Sequence, residues 1–115
     1  MKLEGEGKLL RIFCGEADKI GHQMLAEIIM IEAKEEGLAG VTILRGIAGY
    51  GANSRIHTEK ILRLSEDLPI IIEIIDTCPK IDSFLAKINT LIEEAKCGVL
   101  ITEERANIIK YTAGK

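Results

Sequence analysis

Apolar residues recur along the chain at two periods. Residues 8–14, Lys-Leu-Leu-Arg-Ile-Phe-Cys, alternate as a strand bounded by Gly7 and Gly15. Leu10, Ile12 and Cys14 share one side; Leu9, Arg11 and Phe13 share the other. The period then lengthens. Behind a capping Asp18, Ile20, Met24, Ile28 and Ile31 follow at helical spacing, Leu25 widens the stripe, and Gly37 supplies the stop. Residues 40–50 read as a second strand, with Val41, Ile43, Arg45 and Ile47 on one row. A polar stretch from Gly51 to about Asp67 comes next, its second half able to form a helical turn or two. Pro69 opens a third strand, Ile70–Asp76, in which Ile70, Ile72 and Ile74 oppose Ile71, Glu73 and Ile75.

Pro79 suits the first turn of a second helix. Ile81, Phe84, Leu85, Ile88, Leu91, Ile92 and Ala95 give that helix a stripe of 3.6-residue period, and Gly98 follows its end. Val99–Ile101 is extended, Thr102-Glu103-Glu104 reads as a turn or bulge, and Arg105–Tyr111 as a last strand. The order is therefore β, α, β, long loop, β, α, β. It predicts one α+β domain over residues 1–115: a ferredoxin-like βαββαβ sandwich with two helices on one face of a four-stranded antiparallel sheet. A Rossmann-type sheet is the runner-up, but no full crossover helix separates the second and third strands.

The helices cover only one face, so alternation also predicts the other. Assigning the wholly apolar rows to the helices leaves Leu9, Phe13, Ile43, Ile71 and Ile75 on the open side, with Arg11, Arg45 and Glu73 among them. Such a face is too apolar to stay wet. Copies of the same chain are expected to cover it. An isolated charge in such an interface is costly and a paired one tolerable. Arg11, Arg45 and Glu73 are therefore expected to form an Arg–Glu cluster that fixes the register of assembly, with a solvated rim position as the plainer reading.

Composition narrows the partners. Hydrophobic residues are 47% of the chain and aromatics 3%, with no Trp, so aliphatic side chains must fill the core. The formal charge of −3 is spread without a basic block, which argues against nucleic acid. Apolar runs fall far short of the ~20 residues of a membrane span, and Met1–Lys8 is no signal peptide, so a cytoplasmic protein is expected. Cys14, Cys78 and Cys97 are odd in number and form no C-x-x-C, so they read as small buried hydrophobes rather than disulfides.

Two segments carry candidate chemistry. Gly46-Ile-Ala-Gly-Tyr-Gly51 could bring backbone N–H groups close to a phosphate, or could simply end a strand. It matches no dinucleotide fingerprint, since Gly49-x-Gly51 is followed by Ser54. Ser54-Arg55-Ile56-His57-Thr58 offers a cation, an imidazole and two hydroxyls, suited to an anionic ligand, a partner protein or an exposed capped loop. Ser54 and His57 have no evident orienting carboxylate, so a catalytic pair is the weakest reading. Arg105 and Lys110 could reach a ligand at a subunit boundary.

These residues carry a resemblance. Gly49-Tyr-Gly51, the Ser-x-Ile-His-Thr of 54–58 and Ile-Leu-Arg-Leu-Ser-Glu-Asp-Leu-Pro at 61–69 resemble a branch of the PII-like signalling proteins distinct from nitrogen-regulatory PII. The resemblance implies a homotrimer that binds ATP, ADP, AMP or a similar anion between subunits. It further implies a loop at about 51–67 that reports occupancy to a target protein such as a membrane transporter or an enzyme. Gly49, Gly51, Ser54, Arg55, His57, Thr58 and Arg105 would line the ligand; Arg11, Phe13, Arg45, Ile71, Glu73 and Ile75 would form the interface. PII proper has a Gly-rich, Lys-containing loop before the last strand. Here Cys97–Arg105 has one Gly and two acids instead, and no loop tyrosine corresponds to the modified one. A regulatory protein, not an enzyme, is expected. The rivals are a CutA-like metal-responsive trimer using Cys14, His22, His57 and Cys97, and lastly a small enzyme using His57.

Overall fold

The computed structural model describes residues 3–50 and 68–114. In chain order the elements are β1 (Gly5–Gly15), β2 (Lys19–Ile20), β3 (Gln23–Met24), α1 (Leu25–Glu35), β4 (Val41–Arg45), β5 (Pro69–Asp76), α2 (Cys78–Ala95) and β6 (Leu100–Ile108). The four long strands form one antiparallel sheet in the order β4-β5-β1-β6, and β2 pairs with β3 in a short hairpin. That order places the first strand at the centre and the last beside it, which is the ferredoxin-like arrangement the element pattern predicts.

The core lies between the sheet and the helices. Leu10, Ile12 and Cys14 of β1 and Ile70, Ile72 and Ile74 of β5 meet Leu25, Ala26, Ile29 and Ala33 of α1 and Ile81, Phe84 and Ile88 of α2. Burying each large aliphatic or aromatic side chain contributes about 1.5–3 kcal/mol. The helix-side rows of β1 and β5 and the stripe of α2 are thus as the alternation predicts.

Four local expectations are corrected. The first concerns α1, which begins at Leu25 rather than near Asp18. Residues 18–24 instead make the β2–β3 hairpin: Asp18 accepts the Gly15 N–H at 2.7 Å, and its carbonyl accepts the Leu25 N–H at 2.9 Å. Ile20 and Met24 still pack on the core, but from the hairpin, and Ile31 is exposed. The helix ends as expected. Gly37 has φ +80, its N–H bonds Lys34 O, and Leu38 N–H bonds Ala33 O, which is a Schellman cap.

The second correction is at β4, which stops at Arg45 rather than Tyr50. The third is at β6, which runs unbroken through Thr102-Glu103-Glu104. Partners on β1 hold those charges: Lys8 Nζ, 2.7 Å from Asp82 of α2, also lies 3.2 Å from Glu103, and Arg11 Nη1 lies 3.0 Å from Glu104. The fourth concerns the sides of β4. Ile43 pairs with Ile72 and Arg45 with Ile70, so both stand on the helix side, while Thr42 and Leu44 lie opposite Glu73 and Ile71 on the open side.

α2 starts with Thr77 at its N-cap and Pro79 in the first turn, and ends at Lys96, whose φ is +55. Asp76 sits just ahead of it and is fully buried. Its Oδ1 accepts the Thr77 N–H at 2.6 Å and its Oδ2 the Ala39 N–H at 2.8 Å. One carboxylate therefore ties the turn before β4 to the start of α2. Tyr111 Oη donates to Ala39 O at 2.7 Å, which draws the tail after β6 to the same turn.

Candidate functional site

Two surfaces of the sheet hold the groups with chemical potential. The first is the open face. Leu9, Phe13 and Ile71 are partly buried there, while Leu44, Ile75 and Leu100 are exposed. Phe13 pairs with Ile71 on one side and Leu100 on the other, and Ile71 pairs with Leu44, so the apolar row crosses all four strands. In its middle Arg11 Nε donates to Glu73 Oε2 at 2.9 Å, and Nη1 to Glu104 Oε1 at 3.0 Å. The Glu73 hydrogen bond leads in raising the Arg11 pKa above its ordinary value, and Glu104 adds to it. The expected pairing of Arg11 with Glu73 is thus formed within one chain. Glu104 is its unforeseen third member. Arg45 does not belong to the cluster.

The second surface is the end of the sheet where β1 and β4 finish and β5 begins. Backbone bonds close it: Glu16 N–H donates to Leu68 O at 2.8 Å and Gly46 N–H to Pro69 O at 2.7 Å. A Cβ on Gly46 would stand 2.7 Å from the Pro69 ring, and one on Gly49 3.2 Å from it. Only glycine lets the 46–49 turn lie this close to Pro69. Arg45 Nη2 reaches Glu16 Oε2 at 3.0 Å. Ile47 and Tyr50 stand out into solvent, at 85% and 69% exposure. This end therefore offers a cation, an aromatic ring and a close-packed glycine turn within six residues.

The sequence-predicted ligand residues divide three ways. Gly49 is at this end, as expected. Gly51, Ser54, Arg55, His57 and Thr58 lie outside the described residues. Arg105 is elsewhere: it pairs with Lys8 in register, opposite Asp76, whereas this end is marked by Gly15 opposite Pro69. Seven residues of strand separate Lys8 from Gly15, about 23 Å. Within one chain Arg105 and Gly49 do not meet, and Arg105 bonds Glu6 at 2.5 Å.

The thiols are placed singly. Cys14 is buried, and Cys78 and Cys97 are half-buried. Burial pushes the Cys97 thiol pKa up, and the nearby Asp18 charge adds to it. Among the described residues no three His, Cys, Asp or Glu side chains are grouped to hold a metal. The metal-responsive reading also called on His57, which lies outside those residues. No described helix is long and apolar enough to cross a membrane.

Similarity to known proteins fits this geometry. A UPF0166 protein of Aquifex aeolicus (strain VF5) is 39% identical over 102 residues, covering 89% of this chain and 92% of that one. A UPF0166 protein of Methanocaldococcus jannaschii is 36% identical over 88 residues, covering 76% and 81%. Among solved structures, CPII of Thiomonas intermedia K12, a nitrogen regulatory PII-like protein bound to ADP, AMP and bicarbonate, superposes with a TM-score of 0.66. It covers 91% of this chain and 90% of its own at 18% identity, a likeness of fold. The DUF190 family model, "Uncharacterized ACR, COG1993", matches residues 7–108. With the β4-β5-β1-β6 sheet and two-helix layer already described, the chain belongs to the DUF190 family and has a PII-like fold.

Proposed function

We propose that this chain is a PII-like regulatory protein of the cytoplasm, not an enzyme. It works as a homotrimer that binds an adenine nucleotide or a similar anion at subunit boundaries. Residues 51–67 pass occupancy to a target protein. The observation that carries the reading is the sheet end at 45–50. It combines a half-exposed guanidinium, an exposed tyrosine and a glycine turn packed on Pro69, at the described residues that flank 51–67 in the chain. A guanidinium suits phosphate and an exposed ring suits a base. The bound ADP and AMP of CPII, on the same fold, support the ligand class.

Self-association follows from the open face. Three of its large apolar side chains are exposed in the single chain: Leu44, Ile75 and Leu100, at 44%, 39% and 57%. Two further copies would cover them, and the Arg11–Glu73–Glu104 cluster would then be drawn out of water as a paired group.

Calorimetric titration with ATP, ADP and AMP tests the ligand. Heat from at least one, saturating at one site per chain, is expected. No heat from any of the three removes the nucleotide claim. Sedimentation tests the assembly: a stable monomer at micromolar concentration removes the trimer.

A further inference from the structure

Arg45 is held differently from Lys8 and Arg11, the two cations on the central strand. Lys8 and Arg11 each bind two carboxylates, and Arg105 lies at the far end with Glu6. Arg45 has one partner among the described residues. Its Nη2 lies 3.0 Å from Glu16 Oε2 and 3.4 Å from Oε1, and its side chain is 54% exposed. A guanidinium carries five N–H donors in a planar fork. Among the described residues only Nη2 of that fork is engaged, by Glu16.

Both members of the pair are fixed by their backbones. Glu16 donates its N–H to Leu68 O, and Gly46, next to Arg45, donates its own to Pro69 O. The backbone at the acid and the backbone beside the base are thus tied to two consecutive residues, while the side chains remain able to exchange partners. Glu16 is the better covered of the two, its side chain 26% exposed, so the accessible side of the pair is the arginine.

We infer that Arg45 is the anion-binding residue of this sheet end and that Glu16 is its built-in competitor. The inference rests on the nucleotide reading above and assigns the residue that takes the phosphate. A phosphate group offers the fork two or more oxygens and more negative charge than one carboxylate. It therefore displaces Glu16 from Nη2 and engages the donors that Glu16 does not reach. While no anion is present, Glu16 keeps Arg45 from binding weaker carboxylates. Its strength as a competitor sets the concentration at which the site fills. An exposed pair of this kind is a weak bond, which makes the exchange reversible at modest ligand concentration.

The test is calorimetric titration of ADP, ATP and inorganic pyrophosphate into the full chain and into Arg45→Gln, Arg45→Lys, Glu16→Gln and the double variant. Far-UV circular dichroism and sedimentation check that each variant folds and assembles as the parent does. Arg45→Gln is expected to weaken ADP binding roughly 10- to 100-fold. Arg45→Lys keeps the charge but not the fork and falls between. Glu16→Gln is expected to tighten binding about two- to fivefold, the worth of the exposed pair it removes. In the Arg45→Gln background Glu16→Gln gives no gain. If the parent binds ADP and all four variants match it, the inference is overturned and the nucleotide reading stands. If Glu16→Gln weakens binding, Glu16 supports the ligand and the competitor role is overturned. If the parent gives no heat with any of the three probes, the nucleotide reading and this inference fall together.

Discussion

Replacing Gly46 by Ala tests how the sheet end is built. The Cβ of an Ala there would stand 2.7 Å from Pro69 Cγ, where ordinary contact begins near 3.4 Å. One group must give way by about 0.7 Å, a displacement typical of overpacked sites. Pro69 has little freedom to do so. Its ring is closed on its own backbone, and its carbonyl is held by the Gly46 N–H at 2.7 Å. Gly46 is not among the glycines with positive φ, so the penalty is steric rather than conformational. Overpacking of this kind costs about 1–3 kcal/mol. The lower entropy of an unfolded chain with Ala offsets about 0.4–1 kcal/mol of it. The net cost is therefore about 0–2.6 kcal/mol, and for a domain of this length the melting temperature should fall by up to roughly 15 °C. The decisive measurement is a double-mutant cycle with Pro69→Ala. Without the ring the overlap is gone, so the double variant should be more stable than the sum of the single changes predicts, by about 1–2 kcal/mol. Urea and thermal unfolding of the four proteins, at one protein concentration because assembly shifts apparent stability, give the cycle directly. Strict additivity of Gly46→Ala with Pro69→Ala refutes the close-approach account.

Three further predictions concern the frame around that end. Asp76→Ala removes the acceptors of the Ala39 and Thr77 N–H groups and should cost about 2–4 kcal/mol in urea unfolding; Asp76→Asn, which keeps one acceptor, should cost less. Phe84→Ala empties the largest fully enclosed position of α2 and should cost about 3–5 kcal/mol, a large share of the ~5–15 kcal/mol that holds a domain together. The folded Cys97 thiol has a raised pKa, so the unfolded chain surrenders its proton first as pH rises. Its contribution to stability is therefore intact below the unfolded thiol pKa and declines above it, and alkylation of Cys97 in the native protein should be slower than in denatured protein at the same mildly alkaline pH.

What the sequence disclosed depended on how local the governing interaction is. The α2 stripe and the two rows of β1 are local patterns, and their faces are those predicted. The Gly37 stop is local as well. The start of α1 was obscured by coincidence: Ile20 and Met24 continue the helical spacing of Ile28 and Ile31, yet they pack on the core from a hairpin. Thr102-Glu103-Glu104 resembles a turn until Lys8 and Arg11, more than ninety residues away, supply its charge partners. The side taken by Arg45 is likewise nonlocal. Val41, Ile43 and Arg45 do share a row, but only the pairing of that row with Ile74, Ile72 and Ile70 shows which face it is on. At the candidate site the glycines were legible because their spacing is unusual. The Arg45–Glu16 pair was not, since no pattern in the chain connects β1's end to β4's.

The sheet order carries a consequence for how the protein is made. Of the four strands of this sheet β1 leaves the ribosome first, yet one of its two neighbours, β6, leaves it last. At about 5–20 residues per second, the central strand waits roughly 5–20 s for its second hydrogen-bonding partner. During that interval β1 can pair with β5 alone, and its other edge is open to any extended segment nearby, including one from a neighbouring nascent chain. Pairing between distant parts of the chain also makes folding slow in comparison with helical proteins of this size. Released chains that end before Leu100 should therefore be protease-sensitive, and resistance should arise only in chains that include β6 through Ile108.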